Sequence, residues 1–345
     1  MRIMEIKEII ELVRRGLIDE ALRYLEGLED IDKVIVLSEA TVVTRNLEFI
    51  EEAIYILEKY IKRVEDRIIG YSEIAFALAK IGYYEESTEY FNKAISLLNK
   101  LDKYNAAVSA MFLGTRLARA GFYDSAFDTF EYSFDMIIDL DIEISKKTDL
   151  ILSLADVIEK TGDELASDIA LKFYERAYDI FDKLKVGHRA GMLEKKIRLS
   201  KVLSFTKDPE IRRLTYEGRF KQAVYKVHEK FGKGKRGLAM LEIALWAKEN
   251  NMPERIELLD MALREIDPLK LNDEEIKRAV EVLVDLEEFQ RAMEFAESIK
   301  NGKIRDEALA IIGERLIELG EVEALREIIP KIESEEVKKE LLSKL

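Results

Sequence analysis

The chain has 345 residues, 48% hydrophobic and 36% charged, with a net charge of −14, the composition of a globular protein with a heavily charged surface. It has no cysteine, which excludes disulfides, thiolate metal sites and cysteine nucleophiles, and its only imidazoles are His188 and His228. Four prolines and 16 glycines are too few for the many turns of an all-β fold.

The opening stretch MRIMEIKEII places charges where a secretory signal needs an apolar core, and no run approaches the ~18 apolar residues of a membrane span. The expectation is a cytoplasmic protein with no membrane contact. Glutamine occurs only at Gln222 and Gln290 while Glu, Lys and Arg abound, a thermophile habit.

From Ile6 through Ile9, Ile10 and Val13 the apolar residues recur at three and four, the spacing of one helix face, and nearly the whole chain keeps it. Gly16, Ala21 and Leu25 mark a first helical hairpin, and Ala53 and Leu57 a second. The next two are the clearest, at 69–98 and 108–137. Each has a glycine, Gly82 or Gly121, where a helix end needs positive φ. Each has a small residue seven before it (Ala75, Gly114), another five after (Ser87, Ala126) and an aromatic nine after (Phe91, Phe130). Gly162, Ala170, Tyr174 and Ala177 predict a fifth, with its turn at Gly162. An extra helix is expected over His188 to Phe205, and Asp208-Pro209 starts another as N-cap and first helical residue. Trp246, Leu259 and Ala262, then Phe289 and Ala292, then Gly313, Leu316 and Gly320 mark the later hairpins, and Glu335 to Leu345 a closing helix. A period in the thirties means stacked hairpins, about nine in all. The expected organisation is an N-terminal array over 1–185, a basic junction over 186–236 and a C-terminal array over 237–345.

Leu113-Gly114, Leu117, Gly121, Tyr123, Ala126 and Phe130 resemble the tetratricopeptide-repeat pattern, as do Tyr71, Ile74-Ala75, Leu78, Gly82, Tyr84, Phe91 and Ala94. The resemblance implies an all-α, right-handed superhelical solenoid of antiparallel helix hairpins with no sheet, and a concave groove lined by the first helix of each hairpin. Carried onto this sequence, the groove positions are Ser72 and Phe76, Met111 and Thr115, Leu152 and Asp156, with Phe112 beside Met111. Such a mixed apolar and acidic groove suits a peptide segment of another protein, with apolar anchors and some basic residues.

Lys183 to Arg236 holds 17 lysines and arginines against 5 aspartates and glutamates, inside an acidic chain. This asymmetry predicts pairing of the basic segment with acidic repeats, within one chain or across a homodimer. The alternative is a polyanion or nucleic-acid site using Arg198, Lys201, Arg212, Arg213, Lys233, Lys235 and Arg236. Nucleic acid is disfavoured because the acidic remainder repels phosphate and few aromatics are placed for base stacking.

The stretch FGKGKRG (231–237) looks like a phosphate loop. The Gly-Lys-Ser/Thr spacing of a P-loop is missing after Gly232, and no strand precedes it, so it reads as a basic joint between two helices. No HExxH, no Gly-x-Ser-x-Gly and no metal-ligand spacing appears, and the paired glutamates sit at helix starts or on polar faces. The expectation is a non-catalytic interaction scaffold with no cofactor and no metal.

Overall fold

The structure is a computed structural model that describes residues 5–204 and 208–344. Twenty α-helices occur among the described residues, with no strand. They are α1 (Ile6–Arg14), α2 (Ile18–Leu22), α3 (Asp30–Thr44), α4 (Leu47–Lys59), α5 (Val64–Ile81), α6 (Tyr84–Leu98), α7 (Lys103–Ala120), α8 (Tyr123–Ile138), α9 (Ile144–Asp163) and α10 (Ser167–Lys183). Then follow α11 (Gly187–Val202), α12 (Glu210–Tyr216), α13 (Phe220–Lys230), α14 (Lys235–Glu249), α15 (Arg255–Glu265), α16 (Asp273–Asp285), α17 (Phe289–Ser298), α18 (Gly302–Leu319), α19 (Val322–Ile328) and α20 (Glu335–Leu342). The end at Phe205 expected for the extra helix lies outside the described residues.

Consecutive helices pair as nine hairpins, from α1/α2 to α9/α10 and from α12/α13 to α18/α19, with α11 and α20 outside the pairing. First helices pack on first helices, α1 on α3, α3 on α5, α5 on α7 and α7 on α9, then α14 on α16 and α16 on α18. The fold is an all-α solenoid. The chain forms two compact units, one of residues 1–165 with 169–194, the other of 166–168 with 195–345.

The two strongest sequence repeats fold as their spacing predicts. Gly82 and Gly121 stand at φ 100° and 95°, a conformation open to glycine because it has no Cβ. The next residues, Tyr83 and Phe122, take φ near −88° and ψ of 70° and 63°, and the second helix begins there. Inside the hairpin Ser87 is fully buried and its Oγ donates to the Ala75 carbonyl at 2.8 Å. A Cβ on Gly114 would come within 2.8 Å of the Phe130 ring, so glycine there lets the aromatic seat.

Gly162 was expected at a turn, and the structure corrects this. It lies inside α9, and a Cβ on it would meet the Tyr174 ring at 2.9 Å, so its role is close approach. Gly16, Gly218 and Gly320 also take positive φ, but at three further turns the left-handed residue is not glycine. Arg45, Asn251 and Glu287 take φ of 57°, 53° and 66° after α3, α14 and α16. Asp208 Oδ1 accepts from the Glu210 amide at 2.8 Å, but α12 starts one residue later than expected, with Pro209 at the N-cap position rather than inside the helix.

Candidate functional site

The first helices of the N-terminal unit present one continuous row of side chains. Residues three and four apart share a helix face, so α5 brings Glu73, Phe76 and Lys80 together, and α7 brings Phe112, Thr115, Arg116 and Arg119 alongside. Glu73 is only 4% exposed, and its carboxylate meets the Arg116 guanidinium at 2.5 Å. Arg116 in turn lies near two rings, 5.2 Å from the centre of Phe76 and 5.3 Å from that of Phe112. Lys80 covers the Phe76 ring at 5.3 Å. Burial pushes the Glu73 carboxyl up, against the pull of Arg116, and the nearby Glu39 adds to the rise.

The row is closed by further ion pairs. Arg14 meets Glu39 at 2.6 Å, Arg119 grips Glu164, and Arg189 binds Asp156 and Glu159 at 2.6 Å each. Thr115 lies 3.2 Å from Thr161 across α7 and α9.

Of the residues placed in the groove by spacing, Phe76, Phe112, Thr115, Leu152 and Asp156 are half-buried on this side of the unit. Two expectations are corrected. Ser72 is fully buried, its Oγ donating to the Ile68 carbonyl at 2.6 Å, and Met111 is 8% exposed. Both face inward because α5 and α7 are covered by first helices on both sides. The expected acidity of the groove is also changed, since Glu73, Asp156 and Glu159 are neutralised by arginines of this chain. Sequence reasoning missed Glu73 and Arg116. The usable signal was a charge inside the apolar run GYSEIAFALA.

In the C-terminal unit the basic residues are drawn into a second ionic cluster. Glu242 is 2% exposed on the almost wholly buried α14, paired with Arg278 and 3.4 Å from Nε of Arg198. Arg198 also donates to Glu249 at 2.7 Å and faces Asp285 at 3.5 Å. Burial pushes Glu242 up, with Arg278 and Arg198 opposing, and it does the same to Asp285.

The remaining candidate anion ligands do not converge. Lys201 and Lys235 line one cleft of about 360 Å³ with Val202, Leu238 and Asn272, where Lys235 pairs with Glu275 at 3.2 Å. Arg213 is exposed beside Glu217 at 3.9 Å, and Lys233 is exposed. Arg236 pairs with Glu265 at 3.3 Å and donates to the Phe231 carbonyl. Arg212 was expected to face an anion. It is fully buried, with Nη1 3.4 Å from the Ser200 hydroxyl, so it has no surface to offer.

FGKGKRG joins α13 to α14. Gly234 stands at φ 99° before α14, and a Cβ on Gly237 would sit 2.3 Å from the Ile266 Cα. The glycines are there for chain reversal and close packing. Among the described residues no helix is long and apolar enough to cross a membrane, and no group of three His, Asp or Glu could hold a metal ion.

Stacked hairpins without a sheet, and first helices laid side by side, define a helical-repeat scaffold. The chain is 33% identical to Ton1535 from Thermococcus onnurineus NA1, whose crystal structure it matches with a TM-score of 0.81 over 98% of each chain. The chain belongs to the same family as Ton1535. A circular tandem repeat protein with novel repeat topology and enhanced subunit contact surfaces matches at 14% identity and a TM-score of 0.28, over 98% of this chain and 90% of its own, too weak a likeness to carry an argument. No family model and no curated protein matches the chain.

Proposed function

We propose that this protein is a non-catalytic scaffold of tetratricopeptide-like repeats that holds a segment of a partner protein against the first helices of its N-terminal unit. The observation that carries this reading is the pair of half-exposed rings, Phe76 and Phe112, both in contact with Arg116. Rigid aromatic groups at the centre of a surface make the strongest anchors, and these two are fixed in place by the ion pair of Arg116 with the buried Glu73. The carboxylates of the row are already paired, while Lys80 is exposed with its ammonium over Phe76. The segment that suits this face has apolar anchors with acidic residues beside them. The ion-pair clusters accord with the thermophile habit of the composition.

The test is a photo-crosslinking residue at Phe76, used to capture the partner from the native host, alongside the double variant Phe76→Ala, Phe112→Ala. The variant should keep its helical circular dichroism and lose the partner. Full capture by the folded variant overturns the reading. Nucleic-acid binding through 183–236 has no such observation behind it, because Arg198, Lys226, Lys230 and Arg236 are engaged by carboxylates of this chain.

A further inference from the structure

The second helices of the N-terminal unit repeat a device of their own. A shift of 44 residues lays Ala126 and Phe130 of α8 on Ala170 and Tyr174 of α10, and the same shift lays Asp128 and Tyr132 on Lys172 and Arg176. A shift of 39 residues lays Ser87 and Phe91 of α6 on Ala126 and Phe130, and Lys93 on Tyr132.

In the groove between α8 and α10, Lys172 reaches Asp124 at 3.4 Å and lies 4.2 Å from the centre of the Phe127 ring. One turn on, Arg176 donates to both oxygens of Glu131 at 2.6 and 2.8 Å and lies 4.7 Å from the Phe134 ring. Between α4 and α6, Lys93 stands 3.9 Å from Glu58 and 4.4 Å from the Tyr90 ring. Each groove is thus filled by a cation that combines an aromatic face with a carboxylate, two attractions that add at a half-exposed site.

The groove between α6 and α8 lacks its cation. It is open, about 320 Å³, and lined by Ile95, Leu98, Asn99, Asp128, Thr129 and Tyr132 among others, with no lysine or arginine. Asp128 is exposed and makes no ion pair among the described residues. Ile95 is 36% exposed beside it. The 16 residues of α8 hold Asp124, Asp128, Glu131 and Asp135 and no base.

We propose that this groove binds an arginine or lysine side chain, carried next to an aliphatic residue on a segment of another protein. The side chain's stem lies on Ile95 and Leu98, and its charge meets Asp128 and the Tyr132 ring, which stand where α10 has Lys172 and Arg176. Another protein is taken as the source because Arg189, Arg198, Lys226, Lys230 and Arg236 of this chain's own basic segment already stand on carboxylates of the chain. The surface is separate from the Phe76 and Phe112 row, so the two readings stand or fall independently.

The test uses the full chain with the Ile95 methyl group followed by NMR. The probe is the peptide acetyl-LRALR-amide, with acetyl-LEALE-amide as its control. The basic peptide should shift the Ile95 resonance and the acidic one should not. Asp128→Asn should weaken binding about threefold to fivefold, as expected for a half-exposed ion pair. Asp128→Lys, which installs the residue of α10, should abolish it. An unmoved Ile95 signal, or equal affinity for wild type and Asp128→Asn, overturns the proposal. So does a wild-type dimer in sedimentation that Asp128→Asn dissociates, which would assign the groove to a second copy.

Discussion

The N-terminal and C-terminal units build the same hairpin with different second helices. After the 5-residue α2, those of α4, α6, α8 and α10 run 13, 15, 16 and 17 residues, whereas α13, α15, α17 and α19 run 11, 11, 10 and 7. Long second helices bury Phe91, Phe130 and Tyr174, and the short α13 and α17 still bury Phe220 and Phe295. A short second helix obliges the following linker to turn back across the start of the first helix, and its amides then need acceptors. Asp273 accepts from the Lys300 and Asn301 amides at 3.2 and 2.9 Å, and Asp306 from those of Glu333 and Ser334 at 3.0 and 2.8 Å. Both aspartates stand fourteen residues before the left-handed turn residue, and so does Gly237, which lets the Ile266 backbone lie directly on α14. One position thus solves one problem in two ways, by accepting hydrogen bonds or by having no side chain.

The units also share a buried glutamate nine residues before the left-handed turn residue, Glu73 before Gly82 and Glu242 before Asn251. Glu73 has one arginine in contact, and Glu242 has two. The comparison breaks most sharply there. Arg116→Ala should strand Glu73 and part the rings of Phe76 and Phe112, at a cost of about 3–5 kcal/mol, the range for a buried pair that loses one partner. Arg278→Ala should cost less, about 1–3 kcal/mol, because Arg198 still faces Glu242. Hydrogen exchange under increasing urea reads each unit separately. Equal losses would show that the second arginine adds nothing.

A smaller effect should come from the joint at 231–237. Gly237→Ala places a Cβ against the backbone of Ile266, so α14 and the linker must separate, costing about 1–3 kcal/mol of C-terminal stability. Gly191→Ala inside α11 meets nothing within 4 Å and should stabilise by about 0.5–1 kcal/mol. Thermal unfolding of the two variants checks the contrast. Opposite signs support a packing glycine at 237, and a neutral Gly237→Ala would return the stretch to an open loop.

What the sequence made legible follows from where the information lies. The hairpins at 69–98 and 108–137 could be read because a left-handed glycine, a small pair and an aromatic are all local signals. Gly162 was misread because glycine serves both positive φ and close approach, and the Tyr174 ring that distinguishes them is twelve residues away. The turns at Arg45 and Glu287 carry no residue that announces positive φ. Phe76 was reached by carrying the tetratricopeptide-repeat groove positions onto this sequence, and Phe112 as the neighbour of Met111. Glu73 with Arg116, and Arg198 with Glu242 and Glu249, join helices 40 or more residues apart, and no spacing rule within a helix reveals them.

The smallest expected effect is one of pH, and it sharpens the comparison by sign. Burial holds the Glu242 carboxyl above the ordinary glutamate value of about 4.3. The folded chain therefore binds that proton more tightly than the unfolded chain does. Its contribution to stability is fully present below the ordinary value and is lost as pH rises through the raised one. Glutamine at this position has no proton to lose. The stability difference between wild type and Glu242→Gln should accordingly fall as pH climbs from the ordinary value, then level off. Glu73→Gln should give the same sign, since burial is the leading cause there too. Urea midpoints of the three proteins across the pH series decide it. A difference that rises with pH at Glu242 but falls at Glu73 would mean that Arg198 and Arg278 together outweigh burial where Arg116 alone does not, and the second arginine would then be what separates the two units electrostatically.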